Sequence, residues 1–127
     1  MSTAYELHEA DSANTLAQQL AAWVATRLAD DLARRGQALL VVSGGSTPVP
    51  FFQALCRQSL DWSRVTITLA DERWVGTDDP RSNERLVREH LLQGAAACAE
   101  FVSLTTVDET PSQGCSALEA RLSALAW

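Results

Sequence analysis

The stretch from Ser43 to Thr47 reads Ser-Gly-Gly-Ser-Thr and has the residue types of an anion-binding loop. Gly44 and Gly45 let the backbone turn tightly and approach a ligand with no side chain in the way. The hydroxyl groups of Ser43, Ser46 and Thr47, with the free amides of a following helix, would donate hydrogen bonds to a phosphate. The loop would equally suit a plain strand-to-helix turn capped by Thr47 and followed by a proline at the first helical position.

Three known loop motifs do not describe this stretch. It lacks the closing Gly-Lys-Ser/Thr of a nucleotide P-loop, and it does not have the GxGxxG spacing of a dinucleotide site. It also lacks the GxSxG pattern of a nucleophile elbow. The loop therefore does not belong to these three classes, and a small phosphorylated ligand remains compatible with it.

A second polar stretch, Asp71-Glu72-Arg73, offers an acid and an arginine within three residues. If the preceding strand persists that far, Asp71 and Arg73 point to the same side. Arg73 could hold a phosphate or carboxylate with its planar fork, and Asp71 could orient a sugar hydroxyl or handle a proton. Taken alone, the triplet is better explained as an exposed turn with a local ion pair. Neither His8 nor His90 completes a set of nucleophile, base and orienting group.

Apolar runs place both stretches at the end of strands. Residues 38–43 (ALLVVS) and 64–70 (RVTITLA) are continuous and rich in β-branched residues, as is typical of strands buried in a parallel sheet. Ligands of open α/β sheets bind beyond the carboxyl ends of the strands. The two stretches are therefore expected to lie at one edge of the sheet.

The remaining pattern alternates strands with helices and predicts one α/β domain over residues 1–127. Strands are expected at 4–9 and 100–104. Helices are expected from Asp11 or Ser12, either of which can cap the start, to a C-cap at Gly36, at 49–58, from Ser82 or Asn83 to near Gly94, and at 114–127. The first helix carries a recurring apolar set, expected to face the core, of Leu16, Leu20, Trp23, Val24, Leu28 and Leu32.

Composition excludes several classes of protein. The chain has 127 residues, is 46% hydrophobic and carries a net charge of −6, which suits a globular domain and disfavours nucleic-acid binding. Cys56, Cys98 and Cys115 are too few and too widely spaced for a disulfide framework or a metal site, so we expect them reduced and packed as small apolar residues. No signal peptide or membrane span is visible, and a cytoplasmic location is expected.

Three motifs in order resemble the 6-phosphogluconolactonase family, which is related to the glucosamine-6-phosphate isomerases/deaminases. They are SGGSTP (43–48), ADERWV (70–75) and RSNERLV (81–87). The resemblance runs from the N-terminal helix to the end of the chain. It implies a Rossmann-like, three-layer α/β sandwich with a mostly parallel sheet, and an activity on 6-phospho-D-glucono-1,5-lactone in the oxidative pentose phosphate pathway.

The resemblance also assigns residues. Gly44, Gly45, Ser46 and Thr47 correspond to the sugar-phosphate loop, and Asp71 and Arg73 to the active-site acid and arginine. Ser82 and Asn83 match a recurring pair whose main expected role is to fix the loop and cap a helix. No metal or organic cofactor is implied, and the partner is a small phosphorylated sugar lactone.

One family segment has no counterpart here. Members carry a motif resembling G-x-G-x-D-G-H-x-A-S-L-F-P, whose histidine is the expected general base. We therefore expect this chain to be the N-terminal part of a family member, with little lactonase activity alone and with self-association through a sheet edge. Two alternatives stay open: an isomerase/deaminase acting on an amino sugar phosphate, and a non-catalytic phosphosugar-binding module.

Overall fold

A computed structural model describes residues 4–127 of the chain. Helices and strands alternate along it in the order α1 (Ala13–Arg35), β1 (Ala38–Val42), α2 (Val49–Leu55), β2 (Val65–Leu69), α3 (Asn83–His90), β3 (Glu100–Val102) and α4 (Pro111–Ser123). Short 3-10 turns at Trp62–Arg64 and Gly94–Cys98 lead into β2 and β3. The predicted alternation of helices and strands is confirmed from the first helix onward.

The three strands form one parallel sheet in the order β1-β2-β3. β2 lies in the middle and is buried along most of its length, as its continuous apolar run predicts. Its buried Thr68 satisfies its hydroxyl by donating to the carbonyl oxygen of Val102 on β3 at 2.8 Å. The predicted α/β class with a parallel sheet is confirmed.

Helices pack over the sheet and close the core. α1 packs against α2 and β1, and α2 contacts α3. The largest fully buried side chains are Trp62, Phe52, Leu55 and Ile67. Trp62 still donates its indole N–H to the carbonyl oxygen of Gln58, so burial leaves no polar atom unpaired there.

α1 buries only part of the face expected: Leu28 and Leu32 are buried and Val24 packs against the core, as predicted, but Leu16, Leu20 and Trp23 are not buried. Ser12 caps it by accepting the N–H of Thr15, and Gly36 ends it in the left-handed conformation, as predicted. Its buried residues, however, are Ala17, Ala21, Ala25, Leu28 and Leu32. Leu16, Leu20 and Trp23 are 42%, 43% and 53% exposed. Apolar residues cover more than one side of α1, and the alanine side allows the closer approach to α2.

No helix among residues 4–127, α1 included, is long and apolar enough to cross a bilayer.

Two local predictions are wrong. Residues 4–9 form no strand, because a weakly alternating pattern needs a neighbouring strand to pair with; Tyr5 and Leu7 are exposed instead. Thr47 does not cap α2. The cap position is one residue later than predicted, at Pro48, which makes no side-chain hydrogen bond. The helix begins at Val49, and Thr47 lies in the preceding turn.

Several boundaries and one packing expectation also change. α2 ends at Leu55 and α3 at His90, both earlier than predicted, whereas α4 begins at Pro111 because Thr110 and Gln113 form a reciprocal capping box.

The three cysteines are free, but only Cys56 is partly buried. Cys98 and Cys115 are exposed and do not pack as core residues.

Candidate active site

The two polar stretches leave the sheet at the same edge. Val42 and Leu69, the last residues of β1 and β2, are register partners. The N–H of Ala70 donates to the carbonyl oxygen of Val42 at 2.8 Å, which carries the pairing one residue beyond β2. The chain therefore enters both the 43–47 loop and the 71–82 loop from adjacent positions, as parallel strands require.

The glycine pair of the 43–47 loop does two different things. Gly45 has φ +90, a conformation that side chains disfavour, and a Cβ there would meet nothing within 4 Å. Gly44 has no positive φ, but a Cβ there would overlap the side-chain amide of Asn83. Gly45 thus shapes an open loop, and Gly44 permits a close approach between that loop and the start of α3.

Asn83 connects the two loops. It is 4% exposed, lies against Gly44, and donates from Nδ2 to the carbonyl oxygen of Asp71 at 3.2 Å. Its neighbour Ser82 is also buried and caps α3, accepting the N–H of Arg85 at 3.1 Å. The buried pair therefore fixes the loop and caps the helix, and it brings Gly44 and Asp71 close to one another.

Asp71 and Arg73 have exposed side chains at this edge. Arg73 Nη1 donates to the carbonyl oxygen of Arg81 at 3.0 Å. Within residues 4–127 neither side chain forms an ion pair, so the local ion pair of the simpler interpretation is not formed. An acid and an arginine that do not pair with each other remain free to contact a ligand.

A groove runs from the 43–47 loop along α1. It has a volume of about 350 Å³, and its lining includes Ser43, Gly44 and Thr47 of the loop and Leu16 and Leu20 of α1. Asp71 and Arg73 do not line it. The structure therefore brings the two loops to one edge through Asn83 but does not merge them into a single cavity.

Sequence reasoning missed Glu72. Its carboxylate is half-buried and accepts four hydrogen bonds: Oε1 from the N–H groups of Arg73 (2.8 Å) and Asn83 (2.7 Å), and Oε2 from Glu84 N–H (2.8 Å) and Ser82 Oγ (3.2 Å). Only the acidic residue type hinted at this role, since carboxylates favour helix N-termini. Its partner helix begins more than ten residues later, which sequence spacing does not reveal.

Asp79 holds the far end of the 71–82 loop. Its carboxylate accepts the main-chain N–H of Arg81 at 2.8 Å and the guanidinium at 3.1 and 2.9 Å. The hydrogen bonds from the Arg81 side chain, and then from its main chain, lower the pKa of Asp79 to about 2. This arrangement fixes the carbonyl oxygen of Arg81 that accepts from Arg73.

We expect an NMR titration to place the carboxyl pKa of Asp79 near 2. Because the folded-state pKa is depressed, the interaction stabilises the fold above the ordinary Asp pKa and is lost as the pH falls toward 2. Replacing Arg81 by alanine should return the pKa of Asp79 toward its ordinary value. A midpoint near 4 in the unmodified chain, unchanged in R81A, would contradict the assigned contact.

The two histidines lie in other settings. His8 Nε2 is 3.1 Å from Glu6 Oε2 before α1. His90 is half-buried and pairs with Gln53 at 3.4 Å at the C-terminal end of α3. That helix runs from Asn83 to His90, so His90 lies about 10 Å along the axis from its Asn83 end. Within the described part of the chain, no cluster of three or more His, Cys, Asp or Glu side chains could hold a metal ion.

Sequence comparison identifies related proteins. A model of the family described as glucosamine-6-phosphate isomerases/6-phosphogluconolactonase matches residues 11–127. A protein named 6-phosphogluconolactonase from Pseudomonas aeruginosa is 58% identical over 93 residues, covering 73% of this chain and 39% of that protein. One of the same name from Rhizobium meliloti is 46% identical over 119 residues, covering 94% and 51%. The chain thus spans about half the length of the curated relatives it matches.

Structural comparison agrees. A crystal structure of a 6-phosphogluconolactonase from Shewanella baltica matches with a TM-score of 0.89 and 50% identity, covering 91% of this chain and 50% of that one. A monomeric glucosamine-6-phosphate deaminase matches with a TM-score of 0.72 and 18% identity, covering 92% and 49%. The second likeness shows the fold alone. The Rossmann-like α/β class is confirmed.

Proposed function

Because this chain belongs to the glucosamine-6-phosphate isomerase/6-phosphogluconolactonase family, we propose that the protein hydrolyses 6-phospho-D-glucono-1,5-lactone to 6-phosphogluconate. The relatives at 46% to 58% identity that carry the lactonase name favour this reaction over deamination. The reaction belongs to the oxidative pentose phosphate pathway. The three free cysteines suit a reducing compartment, and we place the reaction in the cytoplasm.

The observation that carries the proposal is the contact of Asn83 with both loops. It holds the bare backbone of Gly44 beside the carbonyl of Asp71, so two loops separate in sequence form one rim. A phosphorylated sugar could then place its phosphate at Gly44–Thr47 and its ring toward Asp71 and Arg73. The phosphate, remote from the reacting carbon, would supply binding energy that orients the lactone.

We assign substrate holding to this chain. In lactone hydrolysis a base removes a proton from water, the hydroxide attacks the C1 carbonyl, and the ring C–O bond breaks as the ring oxygen takes up a proton. Arg73 would stabilise the phosphate or the developing oxyanion, since its exposed guanidinium donates to the carbonyl oxygen of Arg81 but forms no ion pair within residues 4–127. Asp71 would orient a sugar hydroxyl or relay a proton. The family motif with the expected base histidine does not occur in residues 1–127.

The proposal is tested first by binding. Titration of the isotope-labelled 127-residue chain with 6-phosphogluconate should shift the amide signals of residues 43–47, 71–73 and 82–83 and leave those of the opposite edge of the sheet unchanged. Glucosamine 6-phosphate serves as the competitor. Amide shifts confined to other surfaces, or no shifts at millimolar 6-phosphogluconate, would contradict the proposed binding site.

A turnover assay separates the reaction classes. The protein expressed from its complete gene should open the lactone well above the spontaneous rate and release no ammonia from glucosamine 6-phosphate. The 127-residue chain alone should show little acceleration. Ammonia release without lactone opening would support the deaminase, and binding without either reaction would indicate a phosphosugar-binding module.

A further inference from the structure

We propose that Glu72 is a positioning residue for the phosphosugar site: its carboxylate ties the 71–73 segment to the start of α3 and so sets the spacing of the two loops. The inference rests on the proposed function, since it concerns the same site. Nothing assigned to Asp71 and Arg73 requires Glu72 to touch the ligand. Its role follows from its four hydrogen bonds to the protein.

Both carboxylate oxygens of Glu72 are fully used. Oε1 accepts from the N–H groups of Asn83 and Arg73, and Oε2 accepts from the N–H of Glu84 and the hydroxyl of Ser82. Asn83 and Glu84 are the first two residues of α3. The first amides of a helix have no intrahelical partner and carry partial positive charge. Glu72 therefore fills the N-terminus of α3 with an internal anion, and this helix end is not offered to a ligand.

Arg73 is held at two points, one of which is Glu72. Its main-chain N–H donates to Glu72, while its guanidinium donates to the carbonyl oxygen of Arg81. Because Glu72 also holds the N–H of Asn83, it sets the position from which the Asn83 amide reaches Asp71 and lies against Gly44. One carboxylate thus links Arg73, Asp71 and the glycine loop.

Charge alone predicts the opposite effect of losing Glu72. A carboxylate beside a site for a phosphate repels that ligand, so removing its charge should strengthen binding if Glu72 acted only through its field. If Glu72 acts by positioning, its loss should weaken binding although the site becomes less negative. The sign of the change in affinity therefore separates the two roles.

The test compares Glu72→Gln with Asp61→Asn. Asp61 also accepts hydrogen bonds from nearby side chains, those of Ser63 and Arg64, but it lies before β2 at the opposite edge of the sheet. Both substitutions remove one negative charge. We expect E72Q to bind 6-phosphogluconate about tenfold more weakly, since sites tolerate only small displacements, and D61N to bind as well as the unmodified chain. Equal or tighter binding by E72Q would overturn the inference.

A ligand-free readout keeps the inference independent of the proposed function. The N–H groups of Gly44 and Gly45 are not among the donors to Glu72, so their amide signals should move in E72Q only if the loss is transmitted through Asn83. Unchanged glycine signals in E72Q would contradict positioning. Glycine signals that move while the unmodified chain binds no 6-phosphogluconate would support positioning and contradict the proposed function.

A conservative variant covers the case in which E72Q does not fold. Glu72→Asp keeps the charge but shortens the side chain, so it cannot span the same donors. We expect E72D to fold and to show the same weaker binding and moved glycine signals. E72D that binds as the unmodified chain does would overturn the inference.

Discussion

Replacing Arg73 by alanine is expected to lower kcat/KM for lactone opening by roughly a hundredfold or more in the full-length protein, because it would remove the charged donor proposed to contact the phosphate or oxyanion. The guanidinium is exposed and makes no ion pair within residues 4–127. Its removal therefore leaves no buried charge without a partner, and the unfolding free energy should change little. Steady-state kinetics and a denaturant titration measure the two quantities.

The matched control is Arg57→Ala. Arg57 is also exposed and also donates to a carbonyl oxygen, that of Gln53. It follows the C-terminal end of α2, whereas the 43–47 loop precedes the N-terminal end of that helix. R57A makes the same change in net charge and should leave kcat/KM within about twofold, because a remote exposed charge is screened. Arg73→Lys should recover only part of the activity, since lysine lacks the planar fork. Equal effects of R73A and R57A would remove Arg73 from the site.

The elements that position the site were predictable from sequence because each has a strong local signal. β1 and β2 are continuous apolar runs, and α1 begins at a serine cap and ends at Gly36. Parallel strands then bring the 43–47 and 71–82 loops to one edge without further information. The motif order added the family, which the comparison over residues 11–127 shows.

The sequence could not predict which side chains contact one another in the folded protein. The apolar residues of α1 fit several faces, and only packing against α2 selects the alanine side. Glu72 looks like any loop acid, although it caps a helix that begins at Asn83. Likewise Gly44 and Asn83 are far apart in the chain, and the need for glycine becomes visible only where the two touch. Non-local contacts of this kind leave no periodic signal.

Gly44→Ala is expected to destabilise the fold by about 1–3 kcal/mol, the usual cost of an extra methyl group in a packed position. The added Cβ would overlap the Asn83 amide and displace it from Asp71. The two loops would then separate, and binding of 6-phosphogluconate should weaken as well. Denaturant unfolding and ligand titration measure both effects. Gly45→Ala is the control within the same loop. It introduces backbone strain, because alanine disfavours a positive φ, but its Cβ would meet no neighbouring atom.

A double-mutant cycle identifies the cause of the Gly44 effect. Asn83→Ala removes the amide that the new methyl group would overlap, so Gly44→Ala should cost at least about 1 kcal/mol less in that background. Gly45→Ala should cost the same with or without Asn83, because its strain is local to the backbone. If Gly44→Ala is equally costly in both backgrounds, the contact with Asn83 does not explain the glycine. The shared rim of the two loops would then need another origin, because Asn83 is the residue that touches both Gly44 and Asp71.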